Sequence, residues 1–364
     1  MKIVYCIESL YKSGGMERVL TTKANYLSEQ YGHEVHIVTM GGEHQPYFPL
    51  SEKIICHNLS VISKKDYRKK LVQLLYSLRP HITISMYGPE FTFLYKIKDG
   101  SKKIVEFHFT KYYLTYLVRG IHTLRFRRLH LLKAWLLQKR EALYASRYDK
   151  VVLLTQQDLQ IWGNKPNMCY IYNPVSFYSE EVSHMTNKRI IAMGRYIAQK
   201  GFDLLIDAFA KIASKYPDWE LCIFGEGQDA VFFQNKIKSY RLEKQIHLCP
   251  SAHDVKQELL ASSIFVFPSR YEGFGLVLTE AMECGLPCIA FDCECGPREI
   301  ISDGECGFLV KNGDVSILAE KMDRLMQNPE LRNNMGKKGK QRVEMFYAQN
   351  IMPKWQQLFS QIIK

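Results

Sequence analysis

The sequence predicts an α/β protein made of two doubly wound parallel sheets. Three observations carry that expectation. Short apolar runs alternate with helical patterns, the rhythm of parallel strands joined by helices. The series stops in a polar stretch ending at Asn187 and then begins again. A chain of 364 residues is long enough for two domains of ordinary size, each with its own core.

In the first half the strand-like runs are residues 2–9, 34–40, 54–59, 82–86, 103–107 and 150–154, with helices expected over 16–31 and near 66–78. Asn173-Pro174-Val175 closes this half and marks the domain boundary. The second series runs through 189–193, a helix over 202–214, 220–224, a helix near 229–240, then 245–248, 255–261 and 264–267. Residues 314–363 read as mostly helical, interrupted near Asn328-Pro329 and at Pro353. The expected domains are 1–174, 175–347 and a terminal helix, 348–364.

Composition narrows the class. Hydrophobic residues at 46% and charged residues at 24% are those of a soluble globular chain. No segment approaches the roughly 18–20 uninterrupted apolar residues of a membrane span. Met1-Lys2-Ile3-Val4-Tyr5-Cys6 reads as a first strand, not as a signal peptide. Ten scattered cysteines fit reduced thiols and a cytoplasmic setting. The cluster Cys284, Cys288, Cys293, Cys295 and Cys306 has no C-x-x-C pair, so buried thiols are preferred over a metal site.

The net charge of +12 lies entirely in the first half. Residues 1–174 hold 26 Lys and Arg against 13 Asp and Glu; residues 175–364 hold 23 against 24. Such asymmetry implies an anionic partner for the first half. Residues 119–140 carry seven Lys and Arg, no acid, and Leu, Phe and Trp between the charges. That pattern suits a helix at an anionic membrane surface, and equally a core helix with a solvated basic face. The half-molecule charge favours the membrane, placing the protein at the inner face of the cytoplasmic membrane.

The stretch richest in chemistry is Tyr271-Glu272-Gly273-Phe274-Gly275-Leu276-Val277-Leu278-Thr279-Glu280, which follows the apolar run 264–267. Strand, glycine turn and helix start together present backbone N–H groups to an anion, here bracketed by the carboxylates Glu272 and Glu280. In the same half, Arg195 and Lys200 follow the run 189–193, where they can clamp a diphosphate. Gly225-Glu226-Gly227 is a further glycine corner. In the first half, Gly14-Gly15 precedes a helix, open to a phosphate or to an ordinary turn. His108 ends the run 103–107, where an α/β sheet places functional side chains and where it can donate to a hydroxyl or carry a proton. The dinucleotide fingerprint G-x-G-x-x-G is absent, against a nicotinamide or flavin enzyme.

Taken together, Gly14-Gly15-Met16-Glu17-Arg18-Val19, Gly194-Arg195, Lys200-Gly201, Gly225-Glu226-Gly227, Ser269-Arg270-Tyr271-Glu272-Gly273-Phe274-Gly275, Glu280-Ala281, Gly285-Leu286-Pro287 and Gly296-Pro297-Arg298-Glu299 resemble the retaining glycosyltransferases of sequence family 4. The resemblance spans almost the whole chain and is strongest over 189–311. It implies the GT-B fold, two Rossmann-like doubly wound parallel-sheet domains facing each other across a cleft. It implies a nucleotide-diphosphate sugar donor, UDP-sugar favoured, no metal and no cofactor, and a glycan or lipid-linked acceptor of bacterial cell-surface polysaccharide synthesis.

By the same resemblance Arg195 and Lys200 hold the diphosphate, and Glu272 lies against the transferred sugar. Gly273, Phe274, Gly275, Leu276 and Val277 offer backbone N–H groups, and Glu280 takes the ribose hydroxyls. Gly14 and Gly15 close over the diphosphate, Glu226 belongs to the donor loops, and His108 corresponds to the family histidine near the donor sugar. The last helix is expected to cross back to the first domain. Other readings are a sugar-nucleotide epimerase or phosphorylase on this fold, or a basic nucleic-acid-binding protein. The last has no recognition module here and leaves Glu272 and Glu280 unexplained.

Overall fold

The computed structural model describes residues 1–41, 45–120 and 127–363. The described elements in chain order begin with β1 (Lys2–Cys6), α1 (Gly15–Glu29), β2 (Glu34–Thr39), β3 (Ile55–Asn58), α2 (Lys64–Leu78), β4 (Ile82–Ser85) and β5 (Lys102–Glu106). They continue with α3 (Tyr113–Gly120), α4 (Arg127–Ala145), β6 (Lys150–Leu153), α5 (Gln156–Trp162) and β7 (Met168–Tyr170). The second series is β8 (Arg189–Met193), α6 (Phe202–Ala210), β9 (Glu220–Phe224), α7 (Ala230–Ser239), β10 (Ile246–Cys249), α8 (Val255–Leu260) and β11 (Ile264–Phe267). It closes with α9 (Leu276–Glu283), β12 (Cys288–Asp292), α10 (Pro297–Ile300), β13 (Gly307–Lys311), α11 (Val315–Gln327), α12 (Pro329–Val343) and α13 (Ala348–Ile363).

The chain divides into two compact units. One is Met1–Lys111, Trp135–Ser176 and Phe346–Lys364; the other is Tyr112–Ala134 and Phe177–Met345. Segment 112–134, assigned from sequence to the N-terminal domain, thus groups with the second unit.

In the first unit the sheet order is β3-β2-β1-β4-β5-β6-β7, and every pairing is parallel. Strand side chains alternate between faces. One face (Tyr5, Ile84, Ile104, Val152) packs with Leu20 and Leu27 of α1 and Trp355 and Phe359 of α13. The other (Val4, Cys6, Val105, Leu153) packs with Tyr67, Leu71 and Leu75 of α2. Helices on both faces explain why these strands read as continuous apolar runs.

In the second unit the order is β10-β9-β8-β11-β12-β13, again wholly parallel. Here β1 with β4, and β8 with β11, are the places where the strand order reverses. Ligands of such sheets bind beyond the carboxyl ends of the strands at these points.

Two local expectations change. Pro353 lies inside α13, and the break falls instead at 344–347, between α12 and α13. Pro353 is the sixth residue of α13 and forgoes one helical hydrogen bond there, while the buried Ile351, Met352, Trp355 and Phe359 hold the helix in place around it. The run 255–261 is the short helix α8, whose Asp254 side chain accepts from the Gln257 N–H. Of the basic segment 119–140, residues 119–120 end α3 and residues 127–140 lie in α4, while residues 121–126 lie outside the described residues.

Candidate functional site

At the order reversal of the second sheet, two loops meet. The loop after β8 runs from Gly194 through a short 3-10 turn, Ala198–Lys200, to Gly201 and α6. The loop after β11 runs from Pro268 to Gly275 and α9. Arg270 stitches them together, donating to both oxygens of Asp203 at 2.8 and 2.6 Å and to the Ala198 carbonyl at 2.6 Å. The Gln199 amide adds a bond to the Tyr271 carbonyl, and the Arg270 N–H donates to the Gln199 carbonyl. Gly201 makes the approach possible. Its φ is +66°, and a Cβ there would stand 1.9 Å from the Pro268 carbonyl oxygen.

The result is an ion pair that the motifs did not announce. Lys200 Nζ lies 2.6 Å from Glu272 Oε1, with the two side chains only 16% and 10% exposed. Arg195 is exposed on the same loop, and Glu226 is exposed on the neighbouring corner, its carbonyl accepting from the Tyr196 N–H at 2.7 Å. Glycine at the N-cap of α9 (Gly275, φ +104°) contributes no side chain to the first turn. The N–H groups of Leu276 and Val277 therefore head a helix with no cap residue over them, the arrangement that suits an anion. Glu280 lies one turn beyond Leu276 on the same helix and is 1% exposed. Gly273 and Phe274 form the turn between Glu272 and Gly275.

Two residues absent from the sequence reading complete this cluster. Tyr116 of α3 stacks on Tyr271, ring centroids 4.9 Å apart, and its hydroxyl donates to Glu294 at 2.6 Å. Glu294 in turn accepts the Glu272 N–H through its carbonyl at 3.3 Å. Burial, then the charge of Glu272, pushes the Tyr271 hydroxyl up to about 12, against the opposing charge of Arg195. The available signal was the tyrosine-rich run Tyr112-Tyr113 and Tyr116, which has no periodicity that assigns a partner.

The first unit holds the other candidates. Gly14 is the N-cap of α1 and supplies no cap hydrogen bond. Glu17 folds back over that end: a Cβ on Gly14 would lie 2.2 Å from Glu17 Oε2. The helix start expected to face a phosphate thus already faces a carboxylate, whose pKa burial raises. An acid in this first turn complements the positive end of the helix dipole. Gly15 begins α1 beside it.

His108 follows β5 on the same sheet face as Ile104 and Glu106, the side packed by α1 and α13. Its side chain is 5% exposed, with Nε2 3.4 Å from Glu106 Oε1. Glu106 is fully buried and held by the ammonium of Lys23, which is 0% exposed and stands 2.6 Å from Oε1 and closer still to Oε2. Desolvation pushes His108 down to about 4, outweighing the upward pull of Glu106, while Lys23 adds to the depression. Among the described residues, no group of three or more His, Cys, Asp or Glu side chains is arranged to hold a metal ion.

Residues 177–342 match the family described as glycosyl transferases group 1. An uncharacterized glycosyltransferase of Haemophilus influenzae is 30% identical over 97% of this chain and 98% of its own length. The amylovoran biosynthesis glycosyltransferase AmsD of Erwinia amylovora is 24% identical over 99% of both chains. Among solved structures, Anabaena HepE in complex with UDP-glucose superposes with a TM-score of 0.77 at 18% identity, covering 99% of this chain and 100% of that one.

Proposed function

The chain belongs to the glycosyl transferases of group 1 and has the GT-B fold, and from that premise we propose that it moves a sugar from a UDP-sugar to a glycan or lipid-linked acceptor of cell-surface polysaccharide synthesis, with retention at the anomeric carbon. The observation that carries this reading is the Lys200–Glu272 pair beside the uncapped start of α9, at the order reversal of its sheet. The UDP-glucose bound by HepE supports the donor class, and the role named for AmsD supports the acceptor class.

In this reading the diphosphate lies against Lys200, Arg195 and the first N–H groups of α9. These positive groups take up the charge that develops as the bond from C1 to the phosphate oxygen breaks and its electron pair leaves with UDP. Side chains and a helix terminus supply that stabilisation, so the reaction needs no divalent ion and no other cofactor. Glu272 keeps Lys200 extended toward the phosphate and faces the sugar. Glu280 takes the ribose hydroxyls. The acceptor oxygen bonds to C1 on the face the phosphate leaves, and its proton passes to the departing phosphate oxygen.

The test supplies UDP-sugars and a lipid or glycan extract, with and without chelator, and reads the product linkage by proton coupling at C1. Retention with full activity in chelator is expected. An inverted linkage, or loss in chelator that a divalent ion restores, contradicts the mechanism.

The same reading places the protein at the inner face of the cytoplasmic membrane. Helix α4 buries Ala134, Gln138 and Ala145 while exposing Leu129, Leu132, Trp135, Leu136 and Leu143. Arg128, Lys133, Lys139 and Arg140 are exposed around them. Leucines outward and an amide inward suit an interface helix, and the basic flanks suit anionic lipid.

A further inference from the structure

A buried lysine–glutamate pair is costly unless it serves more than stability, because apolar side chains of like size hold a core at least as well. Lys23 and Glu106 form such a pair beneath the carboxyl end of the first sheet. We infer that Glu106 is the positioning residue for His108: its carboxylate, anchored by Lys23, fixes the imidazole as the tautomer protonated on Nε2 and leaves Nδ1 to accept a hydrogen bond from a substrate hydroxyl. This rests on the place beside the donor sugar that the family resemblance implies for His108.

Residues 106 and 108 lie on one face of β5 and its extension, so the carboxylate and the imidazole point the same way. Nε2 stands 3.4 Å from Oε1 and has no hydrogen-bond partner among the described residues. An ionised carboxylate can only accept, so a lone pair on Nε2 facing it would be repelled, whereas an N–H is attracted. The separation exceeds a formed N–H···O bond, and such contacts tighten when substrate arrives.

What keeps Glu106 in place comes from three elements. Lys23 of α1 grips both carboxylate oxygens. Trp355 of α13 covers the ammonium, its ring centroid 4.5 Å from Nζ, and Tyr5 of β1 flanks it at 5.8 Å. The terminal helix thereby supports a residue of the site through Lys23. A doubly protonated imidazole is disfavoured here, since burial and the nearby ammonium both oppose its charge.

The test uses the full chain with nitrogen-15 histidine, the His108 signals being assigned by their loss in His108→Asn. At pH 7 the wild-type ring is expected as a single Nε2–H tautomer. Glu106→Gln should mix the tautomers and lower kcat roughly tenfold or more, with the donor KM little changed. A wild-type ring protonated on Nδ1, or an even mixture, overturns the inference, and that result does not depend on any variant folding. Unchanged tautomer and kcat in Glu106→Gln also overturn it. Wild-type transfer by His108→Ala would instead overturn the donor-site reading beneath it, a failure seen in turnover and not in the wild-type spectrum.

Discussion

Among the described residues Lys200 has one anionic partner, Glu272 at 2.6 Å, and in the proposed reaction a second, the donor diphosphate. Lys200→Ala removes the cation from the leaving group, and Glu272→Ala frees the lysine while exposing the sugar side. Each is expected to lower kcat by about 100–1,000-fold, ~3–4 kcal/mol, with the fold retained by circular dichroism. Wild-type turnover in either variant would refute the site. His108 gives a second prediction. Its folded pKa of about 4 lies below its usual ~6.5, so the unfolded chain takes up this proton first. Stability therefore falls as pH drops through 6.5 and levels off below 4, a loss of about 2 kcal/mol between pH 7 and 5 from this group. Urea melts of His108→Asn should lack that part of the acid dependence, and an identical slope in wild type and variant would contradict the burial. Lys200 and Glu272 were legible as members of separate motifs, though their pairing was not, because it depends on how closely two loops approach. Glu17 over Gly14 was legible in principle, an acid at the third helical position after a glycine cap. Tyr116 and Lys23 were not, since their partners, Tyr271 and Glu106, lie far along the chain.

The elements that carry the site are loops held backbone to backbone. Gly201 is one such point, where a side chain would meet the Pro268 carbonyl and a left-handed φ would be strained besides. Gly201→Ala should part the two loops, cost about 2 kcal/mol or more in stability, and weaken UDP-sugar binding. Thermal melting and donor titration check this; unchanged values in both would show that the loops do not need the approach. The strands of both sheets were readable because helices cover both faces and leave uninterrupted apolar runs such as Ile264-Phe265-Val266-Phe267. The short elements were not. Helix α5 has only seven residues after its Thr155 cap, and β7 only three. Pro353 misled because the burial of Ile351, Met352, Trp355 and Phe359 around it outweighs the one helical hydrogen bond that proline forgoes.

At the scale of the whole molecule, charge and fold point to different partners. In the proposed reading the excess of Lys and Arg in residues 1–174 and the outward leucines of α4 face a membrane, while the site loops face a nucleotide sugar. Vesicles rich in anionic phospholipid should retain the protein at moderate salt, and Leu136→Glu should weaken that retention. Equal retention by uncharged vesicles, or none by anionic ones, would remove the membrane from the account. Whole-chain similarity was legible because its motifs recur at fixed places on a parallel sheet; the acceptor was not, since no stretch of sequence spells out the shape of a surface. The central claim, that the Lys200–Glu272 loops hold a nucleotide-sugar donor, is tested most directly by thermal melting of wild type and Lys200→Ala against a panel of nucleotide sugars. A ligand that binds only the folded state must raise the melting temperature with its concentration. The account predicts a concentration-dependent rise with one or more UDP-sugars in wild type and its loss in Lys200→Ala. No rise with any nucleotide sugar, or an equal rise in the variant, would contradict it.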